Sequence, residues 1–328
     1  MVAYGLGELP GTSIAGAADV IQGETGEFPH VPQLPDRGLG ADMVGRTIGL
    51  LDSINVDRGP RSWRISPRPG RFSHRTGDLL ALDLDTCEEV WGGARRIKAQ
   101  VVGPWTLGSR IEMSNGHLVL TDRGAMRDLT EALIHGIRAH VADLGRRFDA
   151  PVSIQLDEPE LPTVVTGALS GTSDFDRIPA VPAPDVAERL NEVFATIDVE
   201  DTYLNLCGSA PRWEIARQSG ARTVQVTMDR IDGHRQLDGF GETISGGTRI
   251  GLGITRPGVQ VDQRLERPHA LVVQVERLFT RVGVDPQLLG TGVDIHPRTG
   301  IGGGTLVDAA MAYRMARCVA EMLERDHI

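Results

Sequence analysis

The sequence predicts an α/β protein, a single (β/α)8 TIM barrel that takes up residues 1–328 as one domain. Three observations predict it. Short apolar runs alternate with segments whose apolar residues recur at helical spacing, the pattern of a parallel sheet covered by its own crossover helices. Glycine is abundant, with 40 copies, and many follow directly on an apolar run, where a strand turns tightly into a helix. No Gly-x-Gly-x-x-Gly fingerprint follows the first run, which disfavours an open dinucleotide-binding sheet and leaves the closed barrel.

Taken in order, residues 2–5 read as the first strand. The stretch 23–43 is rich in Pro and Gly, with Phe28-Pro29-His30-Val31-Pro32-Gln33-Leu34-Pro35 at its centre, and reads as a long loop. A further strand is expected between residues 50 and 84, where the pattern is poor, because the barrel needs eight. Residues 97–102, 152–156, 202–206, 223–226, 249–253 and 288–293 then read as buried strands. Leu129, Leu133, Ile134, Ile137, Val141 and Leu144 share one helical face. A second long loop of Gly, Ser, Thr and Pro spans 163–184. The last helix carries Leu306, Ala309, Ala310, Tyr313, Ala316 and Val319 on one face, with Thr305 as its cap and Asp308 near the N3 position. Aromatic residues are 4% of the chain, so the core must be built from Leu, Ile, Val and Ala.

Charge and cysteine content limit the partners. The net charge is −10, which disfavours nucleic acid and anionic membranes and leaves a small-molecule substrate. Cys87, Cys207 and Cys318 are odd in number and far apart, which suits a reducing compartment rather than a disulfide framework. The N-terminal residues lack a basic segment followed by an apolar one, and no long apolar run follows, so a cytoplasmic location is expected. Oligomeric state stays open.

In a barrel the chemistry sits at the C-terminal ends of the strands. The residues just beyond each run are therefore the candidates: Glu8, Trp105, Asp157, Glu158, Asn205, Cys207 and His296. Asp157 and Glu158 could hold an ammonium group or act as a base, or be a solvated pair. Cys207 has two readings, a thiolate favoured by a nearby helix N-terminus or a small buried hydrophobe. His296 has two as well, a ligand or general acid and a structural residue. Six arginines, 58, 61, 64, 68, 71 and 75, surround the aromatic pair Trp63 and Phe72. They form either an anion site or a solvated loop balanced by the surplus acids.

These strand ends resemble the catalytic domain of cobalamin-independent methionine synthases, within the uroporphyrinogen decarboxylase and methionine synthase-like barrels. Gly5-Leu6-Gly7-Glu8-Leu9-Pro10-Gly11-Thr12 resembles the opening of that domain. Gly103-Pro104-Trp105-Thr106-Leu107 resembles its Gly-Pro-x-Thr motif, and Ile154-Gln155-Leu156-Asp157-Glu158-Pro159 its Ile-Gln-x-Asp-Glu-Pro motif. The resemblance runs from about residue 3 to about residue 325. It implies a substrate ammonium on Asp157, a substrate carboxylate on the backbone of Leu6, Gly7 and Glu8, and a zinc ion that activates a thiol. Of the implied zinc ligands only Cys207 is kept. Asn205 stands at the histidine position, Thr227 near the glutamate and Thr299 at the last cysteine, and amides and hydroxyls are poor zinc ligands. Asp229, with either Asp294 or His296, could supply a rebuilt site.

The implied function is a methionine synthase-like methyltransferase, passing a methyl group from methyl-tetrahydrofolate or another donor to a thiol such as homocysteine. Its catalytic residues would be Asp157, Glu158 and His296, with Leu6, Gly7, Glu8, Trp105 and Asp157 binding substrate. No tightly bound cofactor is expected; zinc enters only if the site is rebuilt, and folate enters as co-substrate. The alternatives are a cofactor-free decarboxylase-like barrel and a non-catalytic barrel that binds an amino acid or folate.

Overall fold

The computed structural model describes residues 1–59, 63–172, 176–199, 201–257 and 268–326. Its strands are β1 (Val56–Arg58), β2 (Trp63–Ile65), β3 (Ile97–Val102), β4 (Ile111–Glu112), β5 (Val152–Asp157), β6 (Asp201–Asn205), β7 (Thr223–Thr227), β8 (Arg249–Thr255) and β9 (Val293–Pro297). Six of these form one parallel sheet in the order β3-β5-β6-β7-β8-β9. Their interiors are buried on both faces, as near-continuous apolar runs require.

Two further staves close the ring without forming regular ladders. The first is the N-terminal segment, where Ala3 bridges Ile295 of β9 in parallel. The second is the segment around His30 to Gln33. His30 bridges Lys98 of β3, and Glu8 bridges Gln33 between the two staves. The bonds are Tyr4 N to Ile295 O at 3.2 Å, Gln33 N to Gly7 O at 3.0 Å and Val31 N to Lys98 O at 2.8 Å. The chain therefore folds as a (β/α)8 barrel, as its sequence predicts.

The structure corrects the position of the eighth stave. It lies in the Pro-rich stretch that reads as a loop, and not between residues 50 and 84. Pro29, Pro32 and Pro35 have no N–H to give to a ladder, so this stave pairs only at isolated points and leaves no strand signal. Residues 50–84 instead supply the β1–β2 hairpin, which joins β4 in a small separate sheet, and much of helix Arg71–Val90. A second correction concerns the last strand. The apolar run 288–293 crosses a junction between helix Gln287–Gly292 and β9, so the strand starts later than expected. Asp294 is thereby moved to the start of its strand. There it pairs with Arg249, which opens β8, at 2.6 Å, at the barrel end opposite the mouth.

The helices follow their patterns. Helix Arg123–Phe148 buries Leu129, Leu133, Ile134, Ile137 and Leu144, and Asp122 caps it by accepting from Ala125 N at 2.8 Å. Helix Leu306–Asp326 opens on a reciprocal capping box: Thr305 N donates to Asp308 at 2.8 Å, and Asp308 N to Thr305 Oγ1 at 3.2 Å. Among the described residues no helix is long and apolar enough to cross a membrane.

The arginine cluster lies on the outer hairpin and the start of helix Arg71–Val90. Arg64 pairs with Glu112 at 3.0 Å, whereas Arg58, Arg68, Arg71 and Arg75 are exposed. Trp63 and Phe72 pack edge to face with centroids 6.3 Å apart. Arg61 lies outside the described residues.

Candidate active site at the barrel mouth

Asp157 ends β5, in register with Val102 of β3 and Asn205 of β6. Its carboxylate is 2% exposed. Oδ1 accepts from Gln155 Nε2 at 2.6 Å and from Asn205 Nδ2 at 2.7 Å. Oδ2 is buried and has no partner among the described residues. Burial raises the Asp157 carboxyl above the usual carboxylate range, against the two hydrogen bonds and the nearby Lys98. A buried carboxylate with one oxygen satisfied and the other bare is arranged to receive a cation or a donor.

Two carboxamides share this property. Gln33 Oε1 and both polar atoms of the Gln100 side chain are buried without partners among the described residues. They converge on Gly7. A Cβ added to Gly7 would lie 3.0 Å from Gln33 Oε1 and 3.2 Å from Gln100 Cδ, and Gly7 has φ of +123°, so glycine is required there on both counts. Among the described residues, the amide N–H groups of Leu6, Gly7 and Glu8 meet no backbone acceptor. The mouth therefore offers bare acceptors on Asp157 and Gln33 and a bare carboxamide on Gln100. Beside them runs a row of unused amide donors. Buried orphan groups at this density cost stability unless a ligand or water meets them.

Lys98 is fully buried inside the barrel, between the N-terminal stave and β5. Its ammonium donates to Gly5 O at 3.0 Å and to Gln155 Oε1, and lies 5.1 Å from the Tyr4 ring centre and 5.6 Å from that of Tyr203. Burial lowers its pKa, with Asp157 and Cys207 opposing.

Several sequence candidates stand elsewhere. Glu158 does not face the mouth. Its carboxylate accepts from Trp105 N at 3.0 Å, Thr106 N at 2.7 Å and Thr106 Oγ1 at 2.6 Å. It fills the space above Gly103, where a Cβ would come within 2.3 Å of Glu158 Oε1. Burial pushes it up to about 7, against those hydrogen bonds. Trp105 is turned outward as well. Its indole donates to Val186 O at 3.1 Å, and it lines a groove of about 850 Å3 between helices Arg123–Phe148 and Ala183–Thr196. His296 is wholly buried inside the barrel, stacked on Tyr4 at 5.6 Å, with Nδ1 2.6 Å from Pro297 O. Burial holds it down to about 4, so the ring is neutral near pH 7 and ill suited to act as a general acid.

Cys207 does reach the mouth. Its backbone N–H donates to Asn205 Oδ1 at 3.0 Å, and Asn205 in turn holds Asp157, so the three belong to one end of the barrel. Two features weigh against a thiolate there. The next helix, Trp213–Gln218, starts six residues later, and burial pushes the thiol up to about 12. Cys207 packs instead against the cluster of Tyr4, Leu6, Phe28 and Tyr203. Glu8 lies half-buried at the rim, where its Oε2 closes over Gly300, and burial and Asp42 raise its pKa.

The donor set does not fit zinc. Thr227 Oγ1 donates to Arg298 O at 2.9 Å and accepts from Gly208 N at 3.3 Å, Asn205 is spent on Asp157 and Cys207, and Thr299 is exposed. Asp229 is paired with Arg298, Asp294 is at the far end of the barrel, and His296 is inside it. Among the described residues no three His, Cys, Asp or Glu side chains converge.

Gln33, Gln100 and Lys98 are absent from the sequence-based candidates. Lys98 and Gln100 carried a signal: polar residues two apart in the apolar run 97–102 share the face that looks into the barrel. Gln33 carried none, because the prolines around it hid its stave.

No family model matches the chain, and no curated protein matches it. Solved structures resemble it in fold. A methyltransferase from Methanosarcina mazei is 12% identical, with a TM-score of 0.52, covering 99% of this chain and 94% of that one. A B12-independent methionine synthase from a Shewanella species is 12% identical, with a TM-score of 0.48, covering 84% of this chain and 76% of that one. A D-psicose 3-epimerase is also 12% identical, with a TM-score of 0.45 and 98% of each chain covered. At this identity the likeness concerns the barrel alone, and function must be argued from the site.

Proposed function

We propose that the protein is a methyltransferase-type barrel that binds a free amino acid at its mouth, with the ligand's ammonium on Asp157 and its carboxylate on the amides of Leu6, Gly7 and Glu8. The observation that carries this reading is the bare, buried Oδ2 of Asp157 together with the unpartnered amides of Leu6, Gly7 and Glu8, the two joined through Gln155. A zwitterion satisfies both at once. Gln33 Oε1 and the Gln100 carboxamide sit around the same point and serve the ammonium and carboxylate ends. The side chain of the ligand would extend toward Cys207 and Asn205, where the sulfur of homocysteine or methionine finds a small, partly apolar surround. The methyl donor is a folate or another methylated small molecule. Because the donor set at Asn205, Cys207 and Thr227 does not fit zinc, no step is assigned to a metal.

A non-catalytic amino-acid-binding barrel is the second reading. It is favoured by the enclosure of His296 inside the barrel and of Glu158 by Trp105 and Thr106, which leaves Asp157, committed to the ligand ammonium, as the buried carboxylate at the mouth. Calorimetric titration with methionine and with homocysteine tests the binding step common to both. Binding at a one-to-one ratio is expected. No heat and no thermal shift with either ligand at millimolar concentration would overturn both readings. Turnover assays with methylated donors then separate them.

A further inference from the structure

We propose that Lys98 and Gln155 form a positioning strut that sets the gap between the amide row and Asp157, and so selects α-amino acids by the separation of their charged ends. The inference rests on the amino-acid reading above, but its first test needs no ligand.

The first stave has an unusual weakness. Its backbone is tied to β9 through Val2 and Tyr4, and to the second stave through Gly7 and Leu9. Between these points, Gly5 and Leu6 have no backbone partners among the described residues. Their carbonyls are taken by side chains from across the axis. Lys98 Nζ donates to Gly5 O at 3.0 Å, and Gln155 Nε2 donates to Leu6 O at 2.9 Å. The two side chains are joined to each other, Lys98 donating to Gln155 Oε1. The same Gln155 nitrogen holds Asp157 Oδ1 at 2.6 Å. One continuous chain thus links the two peptides that carry the Leu6 and Gly7 amides to the Asp157 carboxylate.

The chemistry of the members fixes the direction of that chain. An ammonium is donor-only, so it must face the Gln155 oxygen. The nitrogen is then left facing two acceptors, Leu6 O and Asp157. The carboxamide cannot turn over without opposing like groups at both ends. Lys98 is itself confined by the Tyr4 and Tyr203 rings. Gly5 is confined too: a Cβ there would lie 2.1 Å from His30 Cε1, so the stave rests directly on a buried ring. The gap between the two ends of the site is therefore set by buried, mutually constrained groups and not by the flexible rim.

The test uses Lys98→Met and Gln155→Leu in the full chain. In ligand-free protein, hydrogen exchange over residues 4–9 reports the bonded amides of Tyr4 and Leu9. Loss of the strut is expected to speed exchange there roughly tenfold or more, with protection of β6 and β7 unchanged. Unchanged exchange at residues 4–9 in both variants overturns the strut whatever the ligand. The second arm compares methionine with 3-(methylthio)propylamine, which lacks the carboxylate. The wild type is expected to prefer methionine roughly tenfold or more. Both variants should bring that ratio toward one, with methionine losing more affinity than the amine, which also loses some because Gln155 and Lys98 both support the Asp157 carboxylate. A merely structural role would weaken the two ligands equally. If Lys98→Met changes the ratio and Gln155→Leu does not, the cause is the lysine charge, and the strut is wrong. If the wild type binds neither ligand, the amino-acid reading fails, while the exchange result still decides the strut.

Discussion

Replacing Asp157 by Asn separates binding from stability. The substitution keeps the oxygen that accepts from Gln155 and Asn205 and turns the bare Oδ2 into an NH2 group. For the ligand ammonium, a charge-assisted hydrogen bond is lost and a donor now faces a donor. Such a bond contributes about 1.5–3 kcal/mol, so methionine affinity is expected to fall roughly 10- to 150-fold. For the fold the sign is opposite. A carboxyl whose folded pKa is raised stabilises the protein below its unfolded value, and that stability is lost as pH rises through the folded value. The wild type therefore carries a penalty at neutral pH that Asn does not. The variant should melt at the same temperature or higher at pH 7.5 while binding far more weakly. In the wild type, methionine affinity should also decline as pH falls through the raised Asp157 value. Calorimetry and thermal denaturation on the same samples decide it. Unchanged affinity would remove Asp157 from the site, and a large drop in melting temperature would make it a structural residue.

Three further outcomes follow from the same geometry. Glu158 is pushed up to about 7, so the stability it confers is present below its ordinary value near 4.5 and is lost as pH rises through 7. Glu158→Gln should accordingly lose less stability than the wild type between pH 5 and pH 8 in urea titrations, and parallel losses would contradict this. The Cys207 thiol, pushed up to about 12, should be alkylated by iodoacetamide far more slowly than free cysteine at pH 8. A rate equal to that of free cysteine would restore the thiolate reading. Purified protein should hold well under one zinc per chain by elemental analysis, because Asn205 and Thr227 are committed to other bonds. One zinc per chain, removed by Cys207→Ser, would show that a rebuilt metal site exists.

The parts of this fold that the sequence made legible are those in which a side-chain pattern and a backbone role coincide. The run 152–156 alternates Val152, Ile154 and Leu156 with Ser153 and Gln155, all of them buried, and Asp157 ends it where the strand reaches the mouth. The Thr305 and Asp308 pair is legible for a similar reason, since a capping box is local and its spacing is fixed by one helical turn. The second stave is the counter-case. Its role is set by position in a closed ring, whereas Pro29, Pro32 and Pro35 within it remove the N–H groups and the alternating pattern by which a strand is recognised. Closure is a long-range property that no window of local sequence contains.

The site divides along the same line. Asp157 and Glu158 are adjacent and chemically alike, yet one faces the mouth and the other is enclosed by Trp105 and Thr106. Alternation along the strand separates their faces, and that step was available from the sequence. What was not available is the partner of each. Gln155 reads as a polar residue in a strand and becomes decisive only because Lys98 and Leu6 reach it from two other staves while Asp157 meets it from its own. The same logic explains the empty zinc pattern. Asn205 holds Asp157 with its nitrogen and accepts from the Cys207 backbone amide with its oxygen, so the position that a metal-binding residue would occupy instead ties the Asp157 carboxylate to the backbone of Cys207. A histidine introduced there would have to give up both bonds. Restoring one zinc ligand by Asn205→His is therefore expected to weaken amino-acid binding before it creates a metal site, and the order of those two losses and gains is measurable in one titration series.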